Sequence, residues 1–224
     1  NITRKEVSLL RMRKKKNLIP RMEKASAVLA GDPTSLRGRW LEEYPGYKEL
    51  HIELGCGKGA FTAGMAAEHG DILFAAMERV PDAMVVAMEK AAQSGLENVR
   101  FIDADAVHAG EIFADGEAER IYINFCDPWP GKKRAKRRLT APAFLSIYAA
   151  ILKKDGEIWF KTDNTDLFEW SLATFKECGW TCSDITRDLH ADGPCGIMTD
   201  YEMKFYSEGK PICRFTAKKA GERS

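Results

Sequence analysis

The chain has 224 residues, 45% of them hydrophobic, and a formal net charge of +1, which together predict one globular α/β domain with an appendage. No apolar run is long enough to span a membrane and no signal-peptide pattern is present, so we expect a cytoplasmic protein without membrane contact. The six cysteines include no C-x-x-C pair and no cluster with histidine, which predicts free thiols and no metal site.

The N-terminal part of the chain is basic. Residues 1–24 show little helical or strand periodicity and include the sequence RMRKKKNLIPR, which is typical of a nucleic-acid-binding arm and equally of a solvated chain end. Residues 22–47 predict a helical segment that leads into the first strand. We therefore divide the chain into an arm with its helix, residues 1–47, and a main domain, residues 48–224.

From residue 48 onward, strand-like and helix-like segments alternate. This alternation predicts a parallel sheet with helices on both faces, in which ligands bind beyond the carboxyl ends of the strands. Residues 182–199 carry few periodic signals and predict a loop. The predicted strands are 49–54, 72–77, 98–103, 119–126, 156–162 and 212–218, and the predicted helices are 59–69, 81–94, 139–153, 165–178 and 200–208.

The first predicted strand ends at Glu53 and leads into a glycine-rich turn. Gly55, Gly57 and Gly59 occupy alternate positions, where glycine lets the backbone turn tightly and approach a ligand. Dinucleotide folds use the different spacing G-x-G-x-x-G, and an acid beside a pyrophosphate would be repulsive. Glu53 instead favours a positively charged ligand such as S-adenosylmethionine, and the alternative is a plain tight turn.

The second and third strands also end near acids. Glu78 lies about twenty residues beyond the glycines, where a carboxylate commonly accepts hydrogen bonds from ribose hydroxyls. Asp105, followed by Ala106, is placed to meet an adenine amino group, although Asp103 and Asp105 could each simply stabilise a turn. The three strand ends together predict an adenosine-binding edge.

The fourth strand leads into Asp127 and the rigid corner DPWP, after which six of the seven residues 132–138 are basic. A carboxylate beside a cationic loop indicates chemistry next to a polyanion, whereas the alternative is a solvated loop. Asp163 follows the fifth strand and could instead cap the next helix. Thr199 and Glu202 match the T-x-x-E pattern of a capping box.

These motifs occur together in one family. ELGCGKG, DPWP followed by KRRLT, and a late TDYE make the chain resemble the bacterial tRNA (guanine-N7-)-methyltransferases. The resemblance implies a Rossmann-like class I methyltransferase, with a doubly wound, mostly parallel seven-stranded sheet and an antiparallel last strand. It also implies methyl transfer from S-adenosylmethionine to N7 of a guanosine in the variable loop of tRNA. We expect a monomer or a homodimer.

The resemblance further implies a role for each matched residue, with Asp127 as the catalytic residue. The cofactor-binding positions are Glu53, Gly55, Gly57, Gly59, Glu78, Asp105, Ala106 and Asp127. The substrate-binding positions are Lys132, Asp163, Thr199, Asp200, Tyr201 and Glu202. The RNA-binding positions are Lys133, Arg134, Ala135, Lys136, Arg137 and Arg138. Gly131 departs from the family, in which lysine is common at this position, so either Lys132 takes over its substrate contact or the loop pairs with RNA differently.

The chemistry of guanine favours a simple mechanism. N7 carries an in-plane lone pair and no proton, so it needs alignment and charge stabilisation, for which Asp127 is suited, more than a general base. Glu202 could accept hydrogen bonds from N1–H and N2–H₂ of guanine, or could only cap its helix. The alternatives are methylation of an exocyclic amine, because DPW resembles the D/N-P-P-aromatic motif, a non-catalytic RNA-binding protein, and a nicotinamide oxidoreductase.

Overall fold

The computed structural model describes residues 17–219, and within this range seven strands form one sheet. The strands are β1 Glu49–Leu54, β2 Ile72–Glu78, β3 Val99–Asp103, β4 Ala118–Asn124, β5 Leu152–Thr162, β6 Trp180–Thr186 and β7 Cys213–Lys219. Their order is β3-β2-β1-β4-β5-β7-β6. β1 to β5 pair in parallel, and β7 is antiparallel to both β5 and β6. The expected seven-stranded, doubly wound architecture with an antiparallel last strand is therefore confirmed.

Helices of varied length connect the strands. They are α1 Leu18–Lys24, α2 Trp40–Glu43, α3 Ala60–Glu68, α4 Pro81–Gln93, α5 Ala109–Ile112, α6 Pro142–Ile151, α7 Thr165–Glu177 and α8 Asp200–Ser207. Local sequence explains where several of them begin. Proline is the first residue of α4 and α6, where its missing N–H is not needed, and the Asn164 side chain caps α7.

Hydrophobic side chains cover both faces of the sheet. One core cluster contains Ile52, Ile121 and Phe160, and a second contains Phe74 and Phe101. Because side chains alternate between the two faces of a strand, a sheet buried on both faces needs nearly continuous apolar strands. β2 meets this requirement, since its residues from Leu73 to Met77 are all apolar and buried. The strand order reverses between β1 and β4, which creates a crevice at their carboxyl ends.

The structure corrects the prediction that residues 1–24 lack helical structure, because α1 occupies Leu18–Lys24. A long-range contact supports this short helix: Arg21 Nε donates to Glu89 Oε1 in α4 at 2.6 Å. Residues 1–16 of the predicted arm lie outside the described residues. The segment between α1 and β1 contributes to the main core. Its Trp40 is fully buried, and the Trp40 indole donates to the Ile112 carbonyl at 3.2 Å.

The predicted loop at 182–199 was also partly wrong, because β6 extends to Thr186. β6 lies at the edge of the sheet, and four of its seven residues are exposed, with only Trp180 buried. It therefore lacks the apolar alternation by which a strand is recognised. The predicted helix 139–153 is shorter than expected, and β5 begins at Leu152. None of the helices between residues 17 and 219 combines the length and apolarity needed to cross a bilayer.

Candidate active site

A cavity of about 980 Å³ opens at the carboxyl ends of the parallel strands. This volume suits a small-molecule site at a topological switch point. Its walls include the glycine turn after β1, Glu78 after β2, Asp105 and Ala106 after β3, and Asp127 after β4. Four strand ends that are distant in sequence thus contribute to one cavity.

Two of the three glycines leave open space beside the backbone for a ligand, and the third allows two helices to pack closely. Gly55 and Gly57 have φ values of +78° and +57°, and a Cβ atom on either would meet no heavy atom within 4 Å. They leave the backbone open to the cavity in a conformation that favours glycine. Gly59 is buried, and its Cβ would lie 2.6 Å from the Cβ of Ala87 in α4. Gly59 therefore allows α3 to pack against α4.

Glu78 is fixed beside the glycine turn. Its Oε2 accepts a hydrogen bond from the Gly57 N–H at 2.8 Å, and its Oε1 accepts one from the Val80 N–H at 2.8 Å. A carboxylate has about four acceptor positions, so each oxygen can still accept another hydrogen bond. Glu78 is thus oriented by the backbone and remains available to hydroxyl groups in the cavity.

Asp105 and Asp127 share one cationic partner that the sequence analysis missed. Arg79 Nη1 lies 3.5 Å from Asp105 Oδ2, and Arg79 Nη2 lies 3.2 Å from Asp127 Oδ2. All three side chains are at least 40% exposed, so the ion pairs contribute little stability. They instead orient two acids across the cavity mouth. The sequence did contain a signal for this contact, because Arg79 directly follows Glu78 at the end of β2.

Glu53 lies behind the glycine turn and does not line the cavity. It is 3% exposed, and its carboxylate accepts hydrogen bonds from the Thr62 hydroxyl and from Asn124 Nδ2, the latter at 3.0 Å. Burial raises the pKa of Glu53, against the opposing effects of these two donors and of Lys161. In this structure Glu53 joins the start of α3 to the end of β4.

Strained backbone flanks Asp127. Phe125 and Trp129 have φ values of +51° and +39°, which are uncommon for residues other than glycine and often occur at functional sites. Cys126 also lines the cavity, but burial and the neighbouring Asp127 raise its thiol pKa to about 12. At neutral pH the thiol is protonated, which argues against nucleophilic catalysis by Cys126.

The opposite wall of the cavity is aromatic with one acid. Tyr201 stacks on Phe205 with ring centroids 6.4 Å apart, and both rings line the cavity. Asp163 lines the same wall and forms an ion pair with Lys210, whose Nζ lies 4.2 Å from the Phe205 ring centroid. The next residue, Asn164, caps α7, so Asp163 is not needed for that role.

Thr199 and Glu202 form the predicted capping box of α8, with the Thr199 hydroxyl accepting from the Glu202 N–H at 2.9 Å. Glu202 is fully buried, and its two carboxylate oxygens bind Lys161 Nζ at 2.6 Å and His190 Nε2 at 3.0 Å. Its carboxylate therefore presents no surface to the cavity. Asp200 is exposed and lies 3.8 Å from Lys90 Nζ.

The basic loop forms a 3-10 helix, Lys132–Arg137, directly after the proline corner. Its exposed cations are Lys132, Lys133, Arg134, Lys136 and Arg137, whereas Ala135 and Arg138 are half-buried. Lys136 and Arg137 reach the cavity. A cationic surface thus continues from the cavity mouth onto the outside of the protein. Within residues 17–219, no group of His, Cys, Asp or Glu is arranged to hold a metal ion.

Residues 47–215 match a family model described as "Putative methyltransferase". A tRNA (guanine-N(7)-)-methyltransferase from Lactococcus lactis subsp. cremoris is 40% identical over 212 residues, which cover 93% of this chain and 98% of the relative. Another protein of this description, from Geobacillus kaustophilus, is 44% identical over 194 residues, which cover 86% of this chain and 89% of the relative.

Solved structures of methyltransferases share the fold. The 16S rRNA methyltransferase KamB superposes with a TM-score of 0.62 at 16% identity, covering 82% of this chain and 94% of that chain. A 16S rRNA (adenine(1408)-N(1))-methyltransferase variant from Catenulisporales acidiphilia, with its cosubstrate SAM, gives 0.60 at 15% identity, covering 87% and 94%. Identities this low support the architecture alone.

Proposed function

The chain belongs to the family of tRNA (guanine-N7-)-methyltransferases, and from this premise we propose that it methylates N7 of a guanosine in the variable loop of tRNA, with S-adenosylmethionine as methyl donor. One observation carries the assignment of the site. Asp127 stands at the rim of the cavity formed by the strand ends, directly before a loop with five exposed cations. This arrangement places an acid for charge stabilisation next to a surface for a polyanion.

The cavity residues fit S-adenosylmethionine. Gly55 and Gly57 leave an open cradle beside the backbone. The two oxygens of Glu78 retain acceptor positions suited to ribose hydroxyls, and Asp105 with Ala106 would hold the adenine. When bound, S-adenosylmethionine supplies a methyl group activated by its sulfonium charge. In this proposal Glu53 does not line the cofactor cavity and instead stabilises the glycine turn through its contacts with Thr62 and Asn124.

We assign Asp127 an electrostatic role. Guanine N7 attacks with its lone pair and loses no proton, and the ring becomes cationic as the new bond forms. A carboxylate at the rim can orient the base and offset the developing charge. The exposed position of Asp127 lets its side chain reach a base that enters from solvent.

The aromatic wall is the proposed site of the target base. Enzymes that modify a base commonly hold it against aromatic or apolar side chains, outside the stack of its neighbours. Tyr201 and Phe205 present stacked rings on the side of the cavity opposite the cofactor residues, with Asp163 beside them. The basic loop from Lys132 to Arg137 would bind the flanking phosphates. We expect a monomer or homodimer that acts on cytoplasmic tRNA, which sedimentation and cell fractionation would test.

The direct experiment incubates the protein with unmodified tRNA and a labelled methyl donor, followed by chemical cleavage specific for N7-methylguanosine. We expect one labelled, cleavable guanosine in the variable loop. A transcript with adenosine at that position serves as the matched control and should take up no label. Label that resists cleavage and maps to an exocyclic amine, or no transfer with either transcript, would overturn the proposal.

A further inference from the structure

Arg138 behaves differently from the other cations of the basic loop. It is half-buried, whereas the five basic residues before it are exposed. Its guanidinium is directed back to the proline corner: Nε donates to the Pro128 carbonyl at 2.9 Å and Nη2 donates to the Trp129 carbonyl at 3.3 Å. Its Cζ atom lies 4.3 Å from the ring centroid of Trp170 in α7.

The proline corner needs an external support of this kind. Pro128 and Pro130 have no N–H group, so the corner offers few donors for backbone hydrogen bonds. Trp129, between the two prolines, has a φ of +39°, a conformation that persists only where the surroundings hold it. A planar guanidinium can donate to two carbonyls at once while it stacks on an aromatic ring, which a lysine ammonium cannot do.

The support reaches the catalytic position through one peptide bond. Pro128 directly follows Asp127, so the place of the Pro128 carbonyl constrains where the Asp127 carboxylate stands in the cavity. Trp170 connects the same guanidinium to α7, a helix of 13 residues. The corner is thereby anchored to a regular element of the fold.

From these contacts we infer that Arg138 is a positioning residue: stacked on Trp170, it holds the Pro128–Trp129 corner and so places Asp127 for methyl transfer. Its role is different from that of Arg134 and Lys136, whose charges face solvent and are suited to RNA phosphates. The inference rests on the proposed function, since it concerns the site at which methyl transfer would occur.

The test compares Arg138→Gln and Arg138→Lys with Arg134→Gln, which removes the same charge from an exposed position of the same loop. We expect both Arg138 variants to lower the single-turnover rate at saturating tRNA and methyl donor by about 10- to 100-fold, because small misplacements of a reacting group are costly. The slope of log Kd against log salt for tRNA should stay at the wild-type value for both. Arg134→Gln should instead reduce that slope by about 0.7 to 0.9.

Three results would overturn the inference. They are a wild-type rate in Arg138→Gln, a rate restored by Arg138→Lys, and a salt slope in Arg138→Gln that falls as it does in Arg134→Gln. If the Arg138 variants unfold, Trp170→Leu provides the second test, because it removes the stacking partner and no charge. It should be slow with an unchanged salt slope, and a wild-type rate would count against the inference. Failure of the proposed function is distinguishable, because the wild-type protein would then transfer no methyl group to N7.

Discussion

Glu202, next to the proposed substrate side of the cavity, is held differently from the acids on the proposed cofactor side. On the cofactor side, Glu78 and Asp105 line the cavity and are oriented by nearby backbone N–H groups, as when the Val107 N–H donates to Asp105 at 3.1 Å. On the substrate side, Glu202 is fully buried and bound by Lys161 and His190. Glu78 and Asp105 are therefore available to a ligand, whereas Glu202 is enclosed in the protein.

The enclosed acid organises its side of the cavity. Lys161 is at the end of β5 and donates both to Glu202 and to the Ile197 carbonyl, the latter at 3.2 Å. His190 accepts from the Cys195 N–H through Nδ1, which leaves Nε2–H to donate to Glu202. The network thereby ties α8 and the preceding loop to the sheet. α8 in turn carries the aromatic rings of the cavity wall.

Desolvation explains the difference between the two sides. Asp105 is 40% exposed and keeps part of its hydration, whereas Glu78 is only 8% exposed and is stabilised by the Gly57 and Val80 N–H groups. A fully buried carboxylate is stable only when it is paired and hydrogen-bonded. An acid near a strand end is therefore a candidate ligand contact when it lines the cavity, and a structural element when both of its oxygens are paired inside the protein.

Removal of the enclosed acid should have the largest effect. Glu202→Ala leaves Lys161 buried without its partner and removes half of the capping box, so we expect a loss of about 3 to 5 kcal/mol in unfolding free energy. Each kcal/mol corresponds to about 2 to 4 °C in Tm for a chain of this size. Urea denaturation and thermal unfolding, monitored by circular dichroism, would measure both.

Glu202→Gln is the matched control, because it keeps the side-chain volume and an acceptor for the capping box. It should lose less stability than Glu202→Ala. The contrast between the two sides would fail if Glu202→Ala kept wild-type stability while losing methylation of guanosine. Such a result would favour direct recognition of guanine by Glu202.

Removal of the exposed acid should affect the rate and leave the fold intact. We expect Asp127→Asn to lower single-turnover methyl transfer by about 10²- to 10³-fold, as for the loss of one preorganised electrostatic group. Its side chain is 64% exposed, so Tm should change little. Equilibrium binding of tRNA should also change much less than the rate.

Asp103→Asn is the control for Asp127→Asn, since Asp103 is exposed at the end of β3 and does not line the cavity. It removes the same charge from the same edge of the sheet and should keep the wild-type rate. Equal losses of rate and of tRNA affinity in Asp127→Asn would argue against a role in the reaction itself.

Sequence patterns predicted the residues that line the proposed cofactor side better than the contacts on the proposed substrate side. The glycine turn and Glu78 could be predicted because each directly follows or ends a strand along the chain, although the hydrogen bond from the Gly57 N–H to Glu78 spans 21 residues. The partner of Glu202 could not, since Lys161 lies 41 residues away and only the tertiary fold brings the two together. Arg137 and Arg138 are equivalent in sequence, and only the structure shows that Arg138 is half-buried and donates to the Pro128 and Trp129 carbonyls.

Gly57 and Gly59 belong to one turn and allow a smaller test of the difference between a residue that lines the cavity and one that is enclosed in the protein. Gly59→Ala places a Cβ 2.6 Å from Ala87, so overpacking should cost about 1 to 3 kcal/mol in unfolding free energy. Gly57→Ala shares with Gly59→Ala the cost of a positive φ but meets no neighbour within 4 Å, so it should lose less stability, and it should weaken binding of S-adenosylmethionine because Gly57 lines the cavity. Thermal unfolding and titration calorimetry separate the two effects. Equal destabilisation with unchanged cofactor affinity in both variants would contradict the division of roles.

The smallest expected effect belongs to a single exposed cation. Lys136→Gln should reduce the slope of log Kd against log salt for tRNA by about 0.7 to 0.9, the contribution of one neutralised phosphate. Stability and affinity for S-adenosylmethionine should remain at wild-type values, because the Lys136 side chain is solvent-exposed and the proposed cofactor contacts lie on strand ends elsewhere. Fluorescence anisotropy with labelled tRNA over a range of salt concentrations would measure the slope. An unchanged slope in Lys136→Gln, and again after Lys132, Lys133, Arg134 and Arg137 are also replaced by Gln, would transfer the phosphate contacts to the basic residues that precede Asn17.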